Sequence, residues 1–478
     1  MNGNEQECVA VGERGLDEMI DFWDVVERCD KGQRMKESDY DLLLWQKVSD
    51  LIKRYDIHFD RDRIVPSDDG LADRAFEAAM DLFVDLGFYC LDTGRVARFS
   101  REEVEEVLSN APDYYVWGEG KDQRVSRARK VEDGRDPSCT FSALGVPVPE
   151  ELFVKVCQSL AMEPLADSFC GPSLLSSFRG IPIRAGHPIE VAAAIWDVSK
   201  RREAARLAGR PGLGIYALIS CAESTAAILA AARREFGALR GDVTQNGVIA
   251  ELKVDFARMN KVPFQLEIGA GIAGLYGPLM GGYAGGPEGT MVTLIAHFFL
   301  GLLAFRADYH IPFPIDIHQV CNTSAGMLWL VSVYCQAIAR NTHLVNLSVA
   351  MAAAGPATDM LFYEMAAHAL VSTVSGGNLV LGGIARDKYP ERVSSLEIRT
   401  GAEVGHIAAR MGMSRDQANR IVKDLLSRYE KEIPRAPLGK KFGEIYDLER
   451  VRPTEEYQEI YERIRKELVE LGLDYSLL

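Results

Sequence analysis

The sequence predicts an α/β protein, a (β/α)8 TIM barrel with helical additions at its N- and C-termini. Three observations carry that expectation. From about residue 137, short apolar runs rich in β-branched or small residues alternate with longer stretches of helical pattern, at intervals of roughly 30 to 50 residues. Seven such runs fall within about 250 residues, the usual size of the barrel, which leaves one strand hidden. The flanking segments are charged and amphipathic, with no Ser/Gly-rich linker, so 1–136 (helical), 137–395 (barrel) and 396–478 (helical) are expected to pack as one unit. An open doubly wound sheet is the alternative.

In the first region, Ser38-Asp39 and Ser67-Asp-Asp69 are N-cap candidates, and Leu71–Leu86 places apolar residues at helical spacing. Ser100-Arg-Glu-Glu103 reads as a capping box opening a helix that runs to Leu108. The barrel strands are expected at Thr140–Leu144, Ser168–Leu174, Leu213–Cys221, Pro263–Gly269, Phe313–Val320, Leu344–Ala350 and Asn378–Leu381. Helices are expected between them at Pro188–Leu207, Ala226–Phe236, Gly289–Ala307, Ala325–Ile338 and Thr358–Val374. The last region reads as helices Ala402–Arg410, Ser414–Ile433 and Thr454–Leu471.

Composition narrows the function classes. The 478 residues are 47% apolar and 26% charged, which is ordinary for a folded globular chain. A net charge of −15 argues against nucleic acid and against an anionic membrane surface as partners, since both are bound through clustered Lys and Arg. The longest apolar run, Thr290–Phe305, is shorter than the roughly 20 residues that span a bilayer and reads as a buried helix. Met1–Glu27 is acidic and polar, without the order of a signal peptide, so a cytoplasmic protein is expected. The cysteines at 8, 29, 90, 139, 157, 170, 221, 321 and 335 are scattered and form no C-x-x-C pair, which fits reduced thiols and no zinc site.

Several motifs carry candidate chemistry. Gly269-Ala-Gly-Ile-Ala-Gly274 matches a dinucleotide fingerprint, but Pro278 and the glycines after it leave no helix to hold a pyrophosphate. A flavin or NAD enzyme using this loop is therefore the weakest reading. A flexible loop at a strand's C-terminal end is the better one. Ile407–Leu425 scans like a helix-turn-helix with Gly412 at the turn, against which stands a plain packed helix pair. In Ile315-Asp-Ile-His-Gln319, strand alternation puts Asp316 and His318 on one face, where they are candidates for acid–base work or a satisfied buried pair. His310 has the same two readings, and no histidine spacing supports a catalytic metal.

The segment Gly209-Arg-Pro-Gly-Leu-Gly-Ile-Tyr-Ala-Leu-Ile-Ser-Cys221 and the block Gly281-Gly-Tyr-Ala-Gly-Gly-Pro-Glu288 resemble the monomethylamine:corrinoid methyltransferases of methanogenic archaea. So do Gly87–Thr93, Glu251–Asp255, Arg428–Lys431, Ala436–Lys440 and Pro453–Tyr457, so the likeness runs nearly end to end. The resemblance implies a TIM barrel that delivers a methyl group from a small methylated substrate to the cobalt of a corrinoid carried by a separate protein. It also implies a homo-oligomer and no metal bound directly. In that family the residue matching Tyr216 is the reactive one, pyrrolysine, surrounded by two glutamates, a glutamine and a tyrosine. Here the first glutamate falls at Asp242 or Gln245, the second at Leu275, the glutamine at Val349 and the tyrosine at Met351.

Tyr216, Asp316 and His318 are thus the catalytic candidates, with Asp242, Gln245, Leu275, Tyr276, Val349 and Met351 as the substrate pocket. Tyr216, Tyr276 and Tyr283 offer aromatic faces for a quaternary ammonium. Two functions follow. One is a corrinoid-dependent methyltransferase acting without pyrrolysine on a donor other than monomethylamine. The other is a catalytically altered or inactive barrel that serves as a binding protein.

Overall fold

The computed structural model describes residues 20–174, 177–219 and 224–478. Cys8, Cys221 and the end of the third expected strand lie outside these residues. Eight short parallel strands form the centre: β1 (Cys139–Ser142), β2 (Ser168–Cys170), β3 (Gly214–Ile215), β4 (Val243–Val248), β5 (Gly271–Tyr276), β6 (Tyr309–Pro312), β7 (Leu347–Met351) and β8 (Asn378–Gly383). Parallel ladders join β3 to β2, β2 to β1, β1 to β8 and β8 to β7, and likewise β4 to β5 and β5 to β6. Two backbone bonds close the ring: Leu218 N–H to the Val243 carbonyl at 3.0 Å, and His310 N–H to the Val345 carbonyl at 2.9 Å. The sheet is therefore a closed (β/α)8 barrel, and no open doubly wound sheet forms.

The helices are α1 (Glu150–Ala161), α2 (Pro188–Leu207), α3 (Thr225–Ala231), α4 (Val262–Glu267), α5 (Pro287–Phe305), α6 (Ala325–Asn341), α7 (Asp359–Val374) and α8 (Leu396–Arg410). The apolar run around Thr290 is α5, a helix buried along nearly its whole length. It packs against the N-terminal helix Asp69–Leu86 through Phe299, which meets Phe76 and Phe83 edge-on. The Ser100 capping box forms as expected, with reciprocal bonds to Glu103. Beyond α8, the candidate helix-turn-helix is a packed pair: helix Arg415–Tyr429 buries Ala418, Ile421, Val422, Leu425 and Leu426, and Gly412 makes the turn at φ +58°.

Three expected strands are corrected. The hidden strand is β4, whose sequence Val-Thr-Gln-Asn-Gly-Val is too polar to read as buried. Thr244 and Asn246 are buried because Gln265 of α4 satisfies both side chains. Pro263–Gly269 is mostly α4, with Pro263 in its first turn, where a missing N–H costs nothing. The strand follows directly as β5, so Gly271 and Gly274 of the dinucleotide-like motif belong to a barrel strand and Gly269 to the turn before it. In the third case β6 ends at Pro312, and only Ile315–Asp316 pairs further, with Leu279–Met280.

The N-terminal end of the barrel is plugged. A hairpin of Tyr114–Trp117 and Arg124–Arg127 inserts Tyr115 and Trp117 against Tyr309, with ring centroids 4.8 to 5.1 Å apart. The Trp117 indole donates to Ser126 Oγ at 2.6 Å. Two glycines make room for this plug. A Cβ on Gly212 would lie 2.2 Å from the Glu119 carbonyl, and one on Gly271 would lie 1.9 Å from the Tyr115 hydroxyl. Much of the Gly209–Gly214 motif is thus a seat for the hairpin.

Candidate active site

Strand alternation decides what enters the barrel. Cys170, Val243, Ala273, Leu275, Tyr309, Ile311, Leu347, Val349 and Val380 form one interior cluster with Tyr216. Continuing each strand by two residues toward its C-terminal end brings Gly247 beyond Gln245, Gly277 beyond Leu275, and Phe313 beyond Ile311. These residues outline a chamber above the aromatic plug.

Tyr216 directly follows β3, where its N–H bonds to the Phe169 carbonyl at 2.9 Å. Its ring is 1% exposed, and its hydroxyl donates to Gln245 Oε1 at 2.9 Å. Leu275 and Val349 stand partly open, and Met351 closes β7 at 7% exposure. A Cβ on Gly277 would meet the Phe313 ring at 2.4 Å, so that ring lies over the glycine as part of the wall. A Cβ on Gly247 would find no heavy atom of the described residues within 4 Å. Phe313 and Gly247 were not singled out from the sequence. The two-residue periodicity from Tyr309 and Val243 is the signal that finds them.

The other expected residues are elsewhere. Asp242 lies at the N-terminal end of β4, under the chamber. Its carboxylate binds Arg202 at 2.7 Å and accepts the N–H groups of Ile215 and Leu239, while burial pushes its pKa up. Of the two positions open for the first glutamate, Gln245 is the one that reaches Tyr216. Tyr276 points out of the barrel: its hydroxyl meets His310 Nδ1 at 2.7 Å, and its ring packs on Phe298 of α5. His310 shares that outer layer, and burial drives its pKa down to about 3, so it stays neutral. Asp316 and His318 do not share a strand face, because the backbone turns after Asp316. The Asp316 carboxylate folds that turn by accepting the N–H groups of His318 and Gln319 at 2.8 and 2.9 Å, and His318 is exposed.

The mouth above the chamber is built from loops after β5, β6, β7 and β8. Asn322 ties the β6 loop to β7 by donating to the Val349 carbonyl at 2.7 Å and accepting Met351 N–H at 2.8 Å. Arg386 ties the β8 loop to the β6 loop at the Gln319 carbonyl, 2.8 Å away. The glycine block begins beside the β6 turn: a Cβ on Gly281 would press Ile317 at 2.8 Å. Apolar side chains stand out on this rim, with Tyr283 51%, Ile317 44% and Val320 37% exposed. Two surface clefts of about 460 and 470 Å³ lie at the N-terminal helix Phe22–Lys31, away from the barrel mouth.

A closed barrel with its chamber at the C-terminal strand ends has the architecture of TIM-barrel enzymes, which place their chemistry there. The comparisons specify the class. Residues 20–473 match the family model described as monomethylamine methyltransferase MtmB, and the chain belongs to that family. It is 29% identical over 457 residues to monomethylamine methyltransferase MtmB of Methanosarcina mazei, covering 95% of this chain and 98% of that relative. Its identity to MtmB1 of Methanosarcina acetivorans is the same, 29% over 457 residues, with the same coverage. The crystal structure of the Methanosarcina barkeri monomethylamine methyltransferase superposes with a TM-score of 0.92 at 28% identity, over 96% of this chain and all of that one. A crystal structure of the hydroxylamine MtmB complex matches equally well.

Proposed function

We propose that the protein transfers a methyl group from a small methylated donor other than monomethylamine to a corrinoid carried by a separate protein, without covalent capture of the donor. The observation that supports this is the chamber itself. By the family resemblance Tyr216 falls at the position of the reactive residue, and a phenol has no electrophilic carbon to take up an amine. Leu275 and Val349 pack against its cluster and Phe313 lies over Gly277 beyond them, a hydrocarbon lining that is a poor environment for a methylammonium charge. A corrinoid supplies a strongly nucleophilic cobalt as methyl acceptor. The exposed Tyr283, Ile317 and Val320 give apolar surface at the rim on which a large planar group and its carrier can sit. The chain's own residues orient the donor and keep water out.

The test is to mix the purified protein with cob(I)alamin and a panel of methyl donors, and to follow the cobalt absorbance. Methylation with a donor other than monomethylamine is expected. Monomethylamine as the best donor would overturn the choice of substrate. No methylation with any donor would favour the binding-protein reading.

A further inference from the structure

We infer that Cys29 and Cys90 are a redox-active dithiol, a modification site that a peroxide closes into a disulfide, fastening helix Phe22–Lys31 to the strand Phe88–Cys90. The site is separate from the barrel chamber and independent of the reaction proposed for it. The fold brings the two thiols together from distant parts of the chain. Helix Phe22–Lys31 ends at Gly32, where a Cβ would lie 2.2 Å from the Val96 carbonyl. Its last turn is therefore pressed onto the hairpin of Phe88–Cys90 and Arg95–Ala97. From the turn of that hairpin, the Thr93 hydroxyl donates to the Cys29 carbonyl at 2.7 Å. Cys29 in turn donates its thiol proton in a hydrogen bond to the Cys90 sulfur. Both cysteines are buried, and neither is in a disulfide.

The two sulfurs are unequal. Cys90 also accepts the N–H groups of Asp92 and Thr93, as the side chain of an Asx turn does. The Cys29 thiol foremost, with these N–H groups, holds the Cys90 pKa below that of an ordinary thiol, against the upward pull of burial. Cys29 is pushed up, first by that same hydrogen bond and then by burial. Cys90 is thus the nucleophile and Cys29 the resolving thiol. Among the described residues, the charged groups around the pair are Asp30 beside Cys29, Arg95 opposite Cys90 in the ladder, and Asp92. The Arg95 guanidinium is held on the Gly32 carbonyl, and the Asp92 carboxylate is turned to the Phe256 N–H.

Access comes through the helix. It buries Phe22, Val25 and Cys29, and clefts of about 460 and 470 Å³ flank it, one at Arg28 and Lys31, the other at Trp23 and Val26. A short edge helix held by so few buried side chains opens locally more readily than the barrel. The Cys90 thiolate then attacks one peroxide oxygen, the O–O bond breaks, and the departing hydroxide takes up a proton to become water. The Cys29 sulfur displaces the hydroxyl of the resulting sulfenic acid: the S–O bond breaks, the S–S bond forms, and the Cys29 proton leaves with the hydroxyl as a second water. Two thiols lose two electrons, and one peroxide is reduced to two waters. A thiol reductant reverses the step.

The full chain, freshly reduced and freed of reductant, is treated with equimolar hydrogen peroxide, its remaining thiols are blocked, and its peptides are mapped by mass spectrometry. A Cys29–Cys90 disulfide is expected as the first product, and dithiothreitol should reverse it. The rate of its formation should have a pH midpoint below the ~8.5 of an ordinary thiol. Hydrogen exchange of the Phe22–Lys31 amides should slow roughly tenfold or more once the disulfide forms. Cys29→Ser should stop at a sulfenic acid on Cys90, trapped by dimedone. Cys90→Ser should leave Cys29 reduced, its oxidation slowed roughly tenfold or more. The map of the unsubstituted chain decides the matter if either variant does not fold. A first product at Cys8, Cys221 or any other cysteine, with Cys29 and Cys90 still reduced, would overturn the assignment. So would oxidation of Cys29 in Cys90→Ser at the parent rate.

Discussion

At the N-terminal end of the barrel, Tyr115, Trp117 and Tyr309 meet ring to ring, and Gly271 is a glycine because the Tyr115 hydroxyl occupies the place of its Cβ. At the C-terminal end, Gly247 also points inward, yet no heavy atom of the described residues lies within 4 Å of the place of its Cβ. The same residue type on neighbouring strands thus serves opposite ends. Below, it admits a plug that replaces solvent with close packing. Above, it leaves a place that no described residue fills. The contrast separates the part of the interior that holds the fold from the part available to a substrate.

The largest expected effect is on the plug. Trp117→Ala removes a fully buried indole and its bond to Ser126, and should destabilise the protein by about 3–5 kcal/mol in denaturant unfolding. Gly271→Ala forces the Tyr115 ring to move and should cost about 1–3 kcal/mol, whereas Gly247→Ala should lie within about 0.5 kcal/mol of the parent in the same titration. Equal costs at the two glycines would erase the distinction between the ends.

A smaller effect concerns the loop that carries the rim. Glu251 lies against Gly282 of the glycine block, among Asp41, Glu37 and Lys253, and burial foremost, with Asp41 second, raises its pKa to about 7. A carboxyl whose folded pKa is raised contributes stability that is present below its unfolded value and lost as pH rises through the folded one. Stability should therefore fall between about pH 4.5 and 7, by at most roughly 3 kcal/mol from this group. Glu251→Gln should flatten that part of a thermal-melt series. An unchanged slope would assign the pH dependence to other groups.

How far the sequence anticipated this molecule depended on what each element buries. α2 was legible at both ends, Pro188 to Leu207, because Pro at its first position and a long helical pattern mark it. β4 was not, since both of its faces carry polar residues whose partners, Gln265 and Tyr216, come from distant segments. β5 hid behind glycines that resembled a phosphate loop, and shifting the strand by a few residues changed which side chains face inward. That shift is why Tyr276 read as a pocket residue and in fact packs on α5. Asp316 and His318 looked paired by alternation, but an aspartate that folds its own turn ends a strand. Leu275, Val349 and Gln245 beside Tyr216 were legible through the family resemblance, since no periodicity joins four strands across a barrel.

The central claim is that the open half of the barrel interior is the donor chamber. Gly247→Leu tests it most directly, because it adds bulk over Gln245 while leaving Tyr216 and the rim residues unsubstituted. The account predicts a melting temperature within about 3 °C of the parent and loss of cobalt methylation with every donor the parent accepts. A stable variant that methylates cob(I)alamin at the parent rate would contradict it.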